Sequence, residues 1–240
     1  MTRLSVLALL CCAGANAAVF SSATPGNPGP ASLDPRVNEY RIDDGTAENS
    51  VGLTSGGNIV FLNRFTANSN SVLNSVSIGF GTPVALNGQS IIVGAWAVGA
   101  GSTPGARLGS VNGVVANASA GVPINNITLN TYNLGGINLT VGQDFYIGFI
   151  MNGQAAGQFP GAIDQTAPLA NRSYVGLGAS ALDPNNLAAG LGANFGAIEV
   201  LGGPALAGNW VIRGNAVPVP APGAAAVFGL VGVAGLRRRR

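Results

Sequence analysis

Residues 58–66 read NIVFLNRFT, and this stretch decides the fold. Ile59, Phe61 and Phe65 recur at every second place, and Asn63 fills the remaining place in that series. A period of two in β-branched and aromatic residues is the pattern of a half-buried strand. Residues 72–80 (VLNSVSIGF) repeat it, with Val72, Val76, Ile78 and Phe80 on one face and Ser75 and Ser77 opposite. Ser90 to Val98 puts Ile92, Trp96 and Val98 on one side. Asp144 to Met151 (DFYIGFIM) is apolar on both faces, as a central strand requires. Ile124 to Leu134, Arg172 to Leu177 and Asn209 to Gly214 are the other strand-like stretches.

Turn chemistry separates these runs. Asp43-Asp44-Gly45, Asn87-Gly88, Thr103-Pro104-Gly105, Asn112-Gly113, Asn152-Gly153 and Asp183-Pro184-Asn185 all read as turns. No stretch of the body has a helical period, and there is no clean internal repeat. The expected fold is all-β: eight to ten strands in a two-sheet antiparallel sandwich, jelly-roll-like in order. A single barrel is the alternative.

Composition agrees and narrows the function. Of 240 residues, 47% are hydrophobic and 8% are charged, which gives ample material for a core. Residues 18–236 hold six arginines against nine acids, a balance of −3, so the body has no electrostatic footprint for nucleic acid. Histidine and lysine are absent, which removes a Ser-His-Asp triad, His-based metal sites, Schiff-base chemistry and a Walker-type loop.

The two ends read as addresses. MTRLSVLALLCCAGANAAVF opens with Arg3, runs apolar from Leu4 to Ala13, and reaches the small-x-small pattern Ala15-Asn16-Ala17. That is a secretory signal with cleavage near Ala17 or Ala18. Cys11 and Cys12 both lie inside it, so the mature chain is expected to carry no cysteine. The chain closes on VPVPAPGAAAVFGLVGVAGLRRRR, residues 217–240. Pro218, Pro220 and Pro222 enforce an extended segment. Ala224 to Leu236 follows without a charge, a helix of roughly 20 Å against a hydrocarbon core of roughly 30 Å. Arg237, Arg238, Arg239 and Arg240 stay cytoplasmic by the positive-inside rule, which leaves the body outside. The expected segments are a signal (1–17), a flexible leader (18–37), a β-sandwich (38–215) and a C-terminal anchor (216–240).

The order of Pro motif, apolar helix and arginine cluster resembles the PEP-CTERM sorting signal. The family's Val-Pro-Glu-Pro aligns with Val219-Pro220-Ala221-Pro222, followed by Gly223, and Ala221 stands where the family has glutamate. The resemblance implies an exosortase-type processing enzyme as partner. It also implies a transient stay in the inner membrane of a Gram-negative-type bacterium, then cell-surface display or release, often with exopolysaccharide. More loosely, DDGTAENSVGL (43–53), AGQFPGAIDQTAP (156–168), NRSYVG (171–176) and GNWVIRG (208–214) resemble β-sandwich ectodomains that carry such tails. That likeness supplies no catalytic role.

Chemistry in the body rests on carboxylates. Asp43, Asp44 and Glu48, with Thr46 nearby, offer hard oxygens that would suit calcium, although the spacing is not that of an EF-hand; the alternative is a solvated Asp-Asp-Gly turn. A glycosidase would need two facing acids in a cleft, and a sugar site would want exposed Trp96 or Trp210. Four Asn-x-Ser/Thr sequons, at Asn117, Asn126, Asn138 and Asn171, are silent in a bacterial setting. The leading expectation is a non-enzymatic exported surface or matrix protein. A lectin-like, calcium-assisted module is second and a carboxylate-dependent hydrolase third. Burial of both tryptophans would favour the first.

Overall fold

The structure is a computed structural model that describes residues 20–22 and 39–219. Its strands are β1 (Phe20–Ser22), β2 (Glu39–Tyr40), β3 (Asn49–Leu53), β4 (Gly57–Thr66), β5 (Ser71–Thr82), β6 (Ser90–Val98) and β7 (Pro104–Val114). They continue with β8 (Leu129–Leu139), β9 (Asp144–Gln154), β10 (Phe159–Asp164), β11 (Ser173–Gly178), β12 (Phe195–Ala197), β13 (Asn209–Trp210) and β14 (Ile212–Pro218). Two short helices, α1 (Leu187–Leu191) and α2 (Ile198–Leu201), interrupt the series late.

The strands form two antiparallel sheets packed face to face. The first runs β1-β3-β10-β5-β14-β2, with β8 also on β5 and β13 also on β10; the second runs β12-β11-β4-β9-β6-β7. Ten strands have five residues or more, and β1, β2, β12 and β13 have two or three. The sandwich expected from alternation is therefore present.

Why these residues make these strands is plain at β4. Ile59, Phe61 and Phe65 point into the space between the sheets, against Phe145, Ile147, Phe149 and Met151 of β9 and Ile78 and Phe80 of β5. Phe61 stacks on Phe149 at 5.0 Å between ring centroids and meets Trp210 edge-on at 4.9 Å. Phe149 meets Phe80 at 5.1 Å. Each such pair contributes about 0.5–1.5 kcal/mol beyond its buried area. The cluster needs room. A Cβ on Gly161 of β10 would lie 2.5 Å from the Phe61 ring, so a residue without one faces it.

Five details differ from the sequence reading. In β5 the inward residue is Leu73, not Val72. The register shifts between Leu73 and Ser75, and Asn74 is exposed, so a bulge moves the alternation by one before Val76 resumes it. Asn112-Gly113 lies inside β7 opposite Ile92 and Ile91, and neither residue has a positive φ, so the hairpin turn that Asn-Gly favours does not form there. Asn152-Gly153 likewise sits within β9. The strand expected over 124–134 occupies Leu129–Leu139, and the expected body boundary at 215 falls inside β14, which continues to Pro218.

A third layer covers the outer face of the second sheet. Leu182, Leu187 and Leu191 pack on Val60, Leu62, Trp96, Tyr146 and Ile150, so β4 and β9 are buried on both sides. Asn152 pins this layer, donating to the Leu182 carbonyl (3.1 Å) and accepting from its N–H (2.8 Å). Trp96 Nε1 donates to the Pro184 carbonyl at 2.8 Å. Trp96→Phe keeps an aromatic ring but removes that bond and part of the indole's buried contact area. It is expected to cost about 1–2 kcal/mol in urea unfolding and to speed proteolysis within 180–194. An unchanged midpoint and cleavage rate would show that the indole N–H does not hold the cover down.

Candidate functional site

Of the sorting motif expected from the sequence, Val219 falls within the described residues. It is 50% exposed, and its N–H donates to the Asn70 carbonyl at 2.8 Å. The motif thus starts where β14 ends. Pro220, Ala221, Pro222 and Gly223, the arginines 237–240 and the expected cleavage residues Ala15, Ala17 and Ala18 lie outside the described residues. Among the described residues no helix is long and apolar enough to cross a membrane.

The three carboxylates considered for calcium do not meet at one point: Asp44 and Glu48 share the Thr46 hydroxyl, and Asp43 turns away from them. Asp43 turns to Arg213, which donates to it through Nε (3.2 and 3.1 Å) and Nη2 (2.5 Å), with Arg41 Nε at 3.7 Å. Glu48 Oε2 accepts the Gln165 N–H at 2.7 Å, and its Oε1 faces the Thr46 hydroxyl at 3.0 Å. Asp44 Oδ1 accepts from the Thr46 N–H (2.9 Å) and hydroxyl (2.7 Å). Among the described residues no group of three or more acidic, His or Cys side chains is arranged to hold a metal ion.

Asp44 instead meets Asp164, a residue that sequence reasoning left as one acid among nine. Thr166 Oγ1 sits 3.0 Å from Asp44 Oδ2 and 2.9 Å from Asp164 Oδ1, so one hydroxyl proton serves two carboxylates. Asp164 also accepts the N–H groups of Asp44, Thr166 and Ala167 at 2.7–2.9 Å. Burial pushes the Asp164 carboxyl up, against the pull of those donors. At Asp44 burial also pushes up, but donors from Thr46 and Thr166 and the charge of Arg41 outweigh it and hold the carboxyl down. Carboxyl ¹³C titration by NMR is expected to place Asp164 above the ordinary aspartate value and Asp44 below it. The signs oppose. Asp44 contributes stability that is present above its unfolded value and lost as pH falls through its folded one. The Asp164 contribution is present below its unfolded value and lost as pH rises through its folded one. The reverse order of titration would refute this reading of the pair.

The stretches 43–53, 156–168, 171–176 and 208–214 meet at this junction. Asp43 (43–53) holds Arg213 (208–214), and Asp44 and Glu48 hold Asp164, Gln165 and Thr166 (156–168). Ser173 (171–176) accepts the Trp210 N–H at 3.0 Å. Asn63, buried between the sheets, donates to the carbonyls of Trp210 (2.9 Å) and Ile212 (3.1 Å) and accepts the Ser173 hydroxyl at 2.8 Å. Its place in an otherwise apolar series was the one available signal. The junction is a polar clip between sheets, with its acids occupied by protein donors.

Trp96 and Trp210 are 0% and 1% exposed. Trp210 Nε1 donates to the Tyr174 carbonyl at 2.9 Å. Neither offers a face to a sugar.

A second polar constellation lies on the outer face of the second sheet. Arg64 Nη2 pairs with Asp144 Oδ2 at 2.5 Å, and Arg64 Nη1 donates to Ser102 Oγ at 3.0 Å. Thr66 donates to Asp144 Oδ1 at 2.5 Å and accepts from Arg172 Nη1 at 3.2 Å. Hydrogen bonds from Thr66 and Arg64 hold the Asp144 carboxyl below its usual range.

Comparison of the chain with known protein families, with characterised proteins and with solved structures gave no match.

Proposed function

We propose that this chain is an exported, non-enzymatic β-sandwich, sorted through residues 216–240 and displayed at or released from the surface of a Gram-negative-type cell. The observation that carries the proposal is the agreement of its two ends. A signal ending near Ala17 sends the body out, and Arg237–Arg240 behind an apolar run keep the tail's end in. In this reading the inner membrane holds the precursor, an exosortase-type enzyme acts on Val219–Gly223, and the body joins an exopolysaccharide-bearing surface. The terminal helices and a jelly-roll strand order belong to the same proposal. Exposure of Val219 directly after β14 supports presentation of the motif at the edge of a folded body. Saturated carboxylates at the Asp44–Asp164 junction and buried tryptophans favour display over hydrolysis or tryptophan-based sugar stacking.

Intact-mass analysis of the surface-associated and secreted protein tests the proposal. A mass lacking both ends is the expected result. A released fraction that retains Arg237–Arg240 would overturn tail removal.

A further inference from the structure

We infer that the outer face of the second sheet carries a binding site for a carboxylate-bearing polysaccharide, a polyuronate, centred on Arg172. Strand register builds the site. Arg64 N–H donates to the Arg172 carbonyl, Arg64 pairs with Tyr146, Tyr146 with Trp96, and Trp96 with Arg107. Directly opposed residues share a face, so Arg172, Arg64 and Arg107 lie in one row across five strands. Four strand spacings separate the outermost two, about 19 Å. Tyr146 and Trp96 in the middle are covered by the Leu182–Leu191 layer, while Arg172 and Arg107 at the flanks are exposed.

Charge and donors point to an anion. The body as a whole carries more acids than arginines, yet the strands of this row set three arginines beside one carboxylate, Asp144; the exposed Asp183 of the covering layer lies next to Pro184, over Trp96. Both oxygens of Asp144 are already taken, by Arg64 and Thr66. Arg172 spends one donor on Thr66, which leaves most of its planar fork facing solvent. Among the described residues the two non-glycine residues with positive φ adjoin this cluster. Asn171 (φ 52°) precedes Arg172, and Ser102 (φ 63°) accepts from Arg64 and, through its carbonyl, from the Tyr146 hydroxyl. Such backbone is kept where a site over-determines it. Tyr174, opposite Leu62 in the register of β11 on β4 and so diagonal to Arg64, stacks on Phe195 at 5.5 Å and 11° between planes, and both rings are half-buried. A guanidinium fork next to an aromatic pair suits a ring with one apolar face and a carboxylate, a hexuronate. One exposed Arg–carboxylate pair is worth about 1 kcal/mol or less, so binding depends on a repeated ligand that engages both flanks.

The polymer class rests on the proposed surface location; the site itself does not. The test is affinity electrophoresis of the purified full chain through gels cast with polygalacturonate, neutral dextran or DNA. Retardation by polygalacturonate is expected, with little by dextran or DNA. It should weaken as salt rises from 50 to 300 mM and fall at least about fivefold in Arg107→Ala/Arg172→Ala. Neither side chain is buried, so the double variant is expected to keep the wild-type unfolding midpoint. No retardation, equal retardation of the folded double variant, or equal retardation by DNA would each overturn the inference. Intact-mass results do not bear on this outcome, so the two ideas fail separately.

Discussion

Asn63→Leu is expected to lower the unfolding free energy by about 3–5 kcal/mol, read as a large fall in urea midpoint with little change in slope. The side chains are similar in size, so cavity formation contributes little. What changes is that the Trp210 and Ile212 carbonyls lose their donor and the Ser173 hydroxyl loses its acceptor, all in the space between the sheets. Each orphaned group costs about 1–3 kcal/mol, and partial rearrangement keeps the total below the full sum. Asn63→Asp separates this account from one based on volume. It leaves an acceptor for Ser173 but turns a charged oxygen toward two carbonyls, so it is expected to be at least as damaging as Leu. An aspartate variant within about 1 kcal/mol of wild type would sink the donor argument. Asn112→Ala, on the exposed surface of β7, serves as a control and should stay within about 0.5 kcal/mol.

Arg213→Met is expected to cost a similar amount, about 3–5 kcal/mol, because it strands a buried carboxylate. The Asp43 side chain is fully buried, and Arg213 supplies its closest donors, while Arg41 Nε stands off at 3.7 Å. The informative comparison is the double variant Asp43→Leu/Arg213→Met. Removing both charges removes the desolvation cost as well, so the double variant should lose less than Arg213→Met alone. A double-mutant cycle with simple additivity would mean that the two side chains do not act as a pair.

Much of the sandwich was legible from sequence, and particular residues show why. β4 and β9 were readable because alternation is a local rule: a pleated strand turns successive side chains to opposite faces, and burial sorts them. The two-sided apolar run in Asp144–Met151 correctly implied cover on both faces. The composition of that cover was not readable. Residues 182–195 carry only scattered leucines, and their place over Trp96 and Tyr146 is set by contacts with distant strands. The slip at Val72 was hidden for a similar reason, since a bulge depends on two partner strands and not on the bulged strand alone.

The acids show the limit most clearly. Asp43, Asp44 and Glu48 are close in sequence, and proximity made them look like one ligand set. In the fold Asp43 faces β14, whereas Asp44 and Glu48 face the residues after β10. Alternation and tight turns send neighbouring side chains to different partners, so spacing alone could not say which carboxylates meet. By itself the sequence determined strand character, the lack of histidine and lysine chemistry, and the charge asymmetry of the two ends, because each follows from residue type and local period. Tertiary structure decided that Asn63 clips the sheets, that Asp164 is the partner of Asp44, and that Arg172, Arg64 and Arg107 form one row. Each of those depends on which strands pair and in what register, and that choice is made by the whole buried core at once.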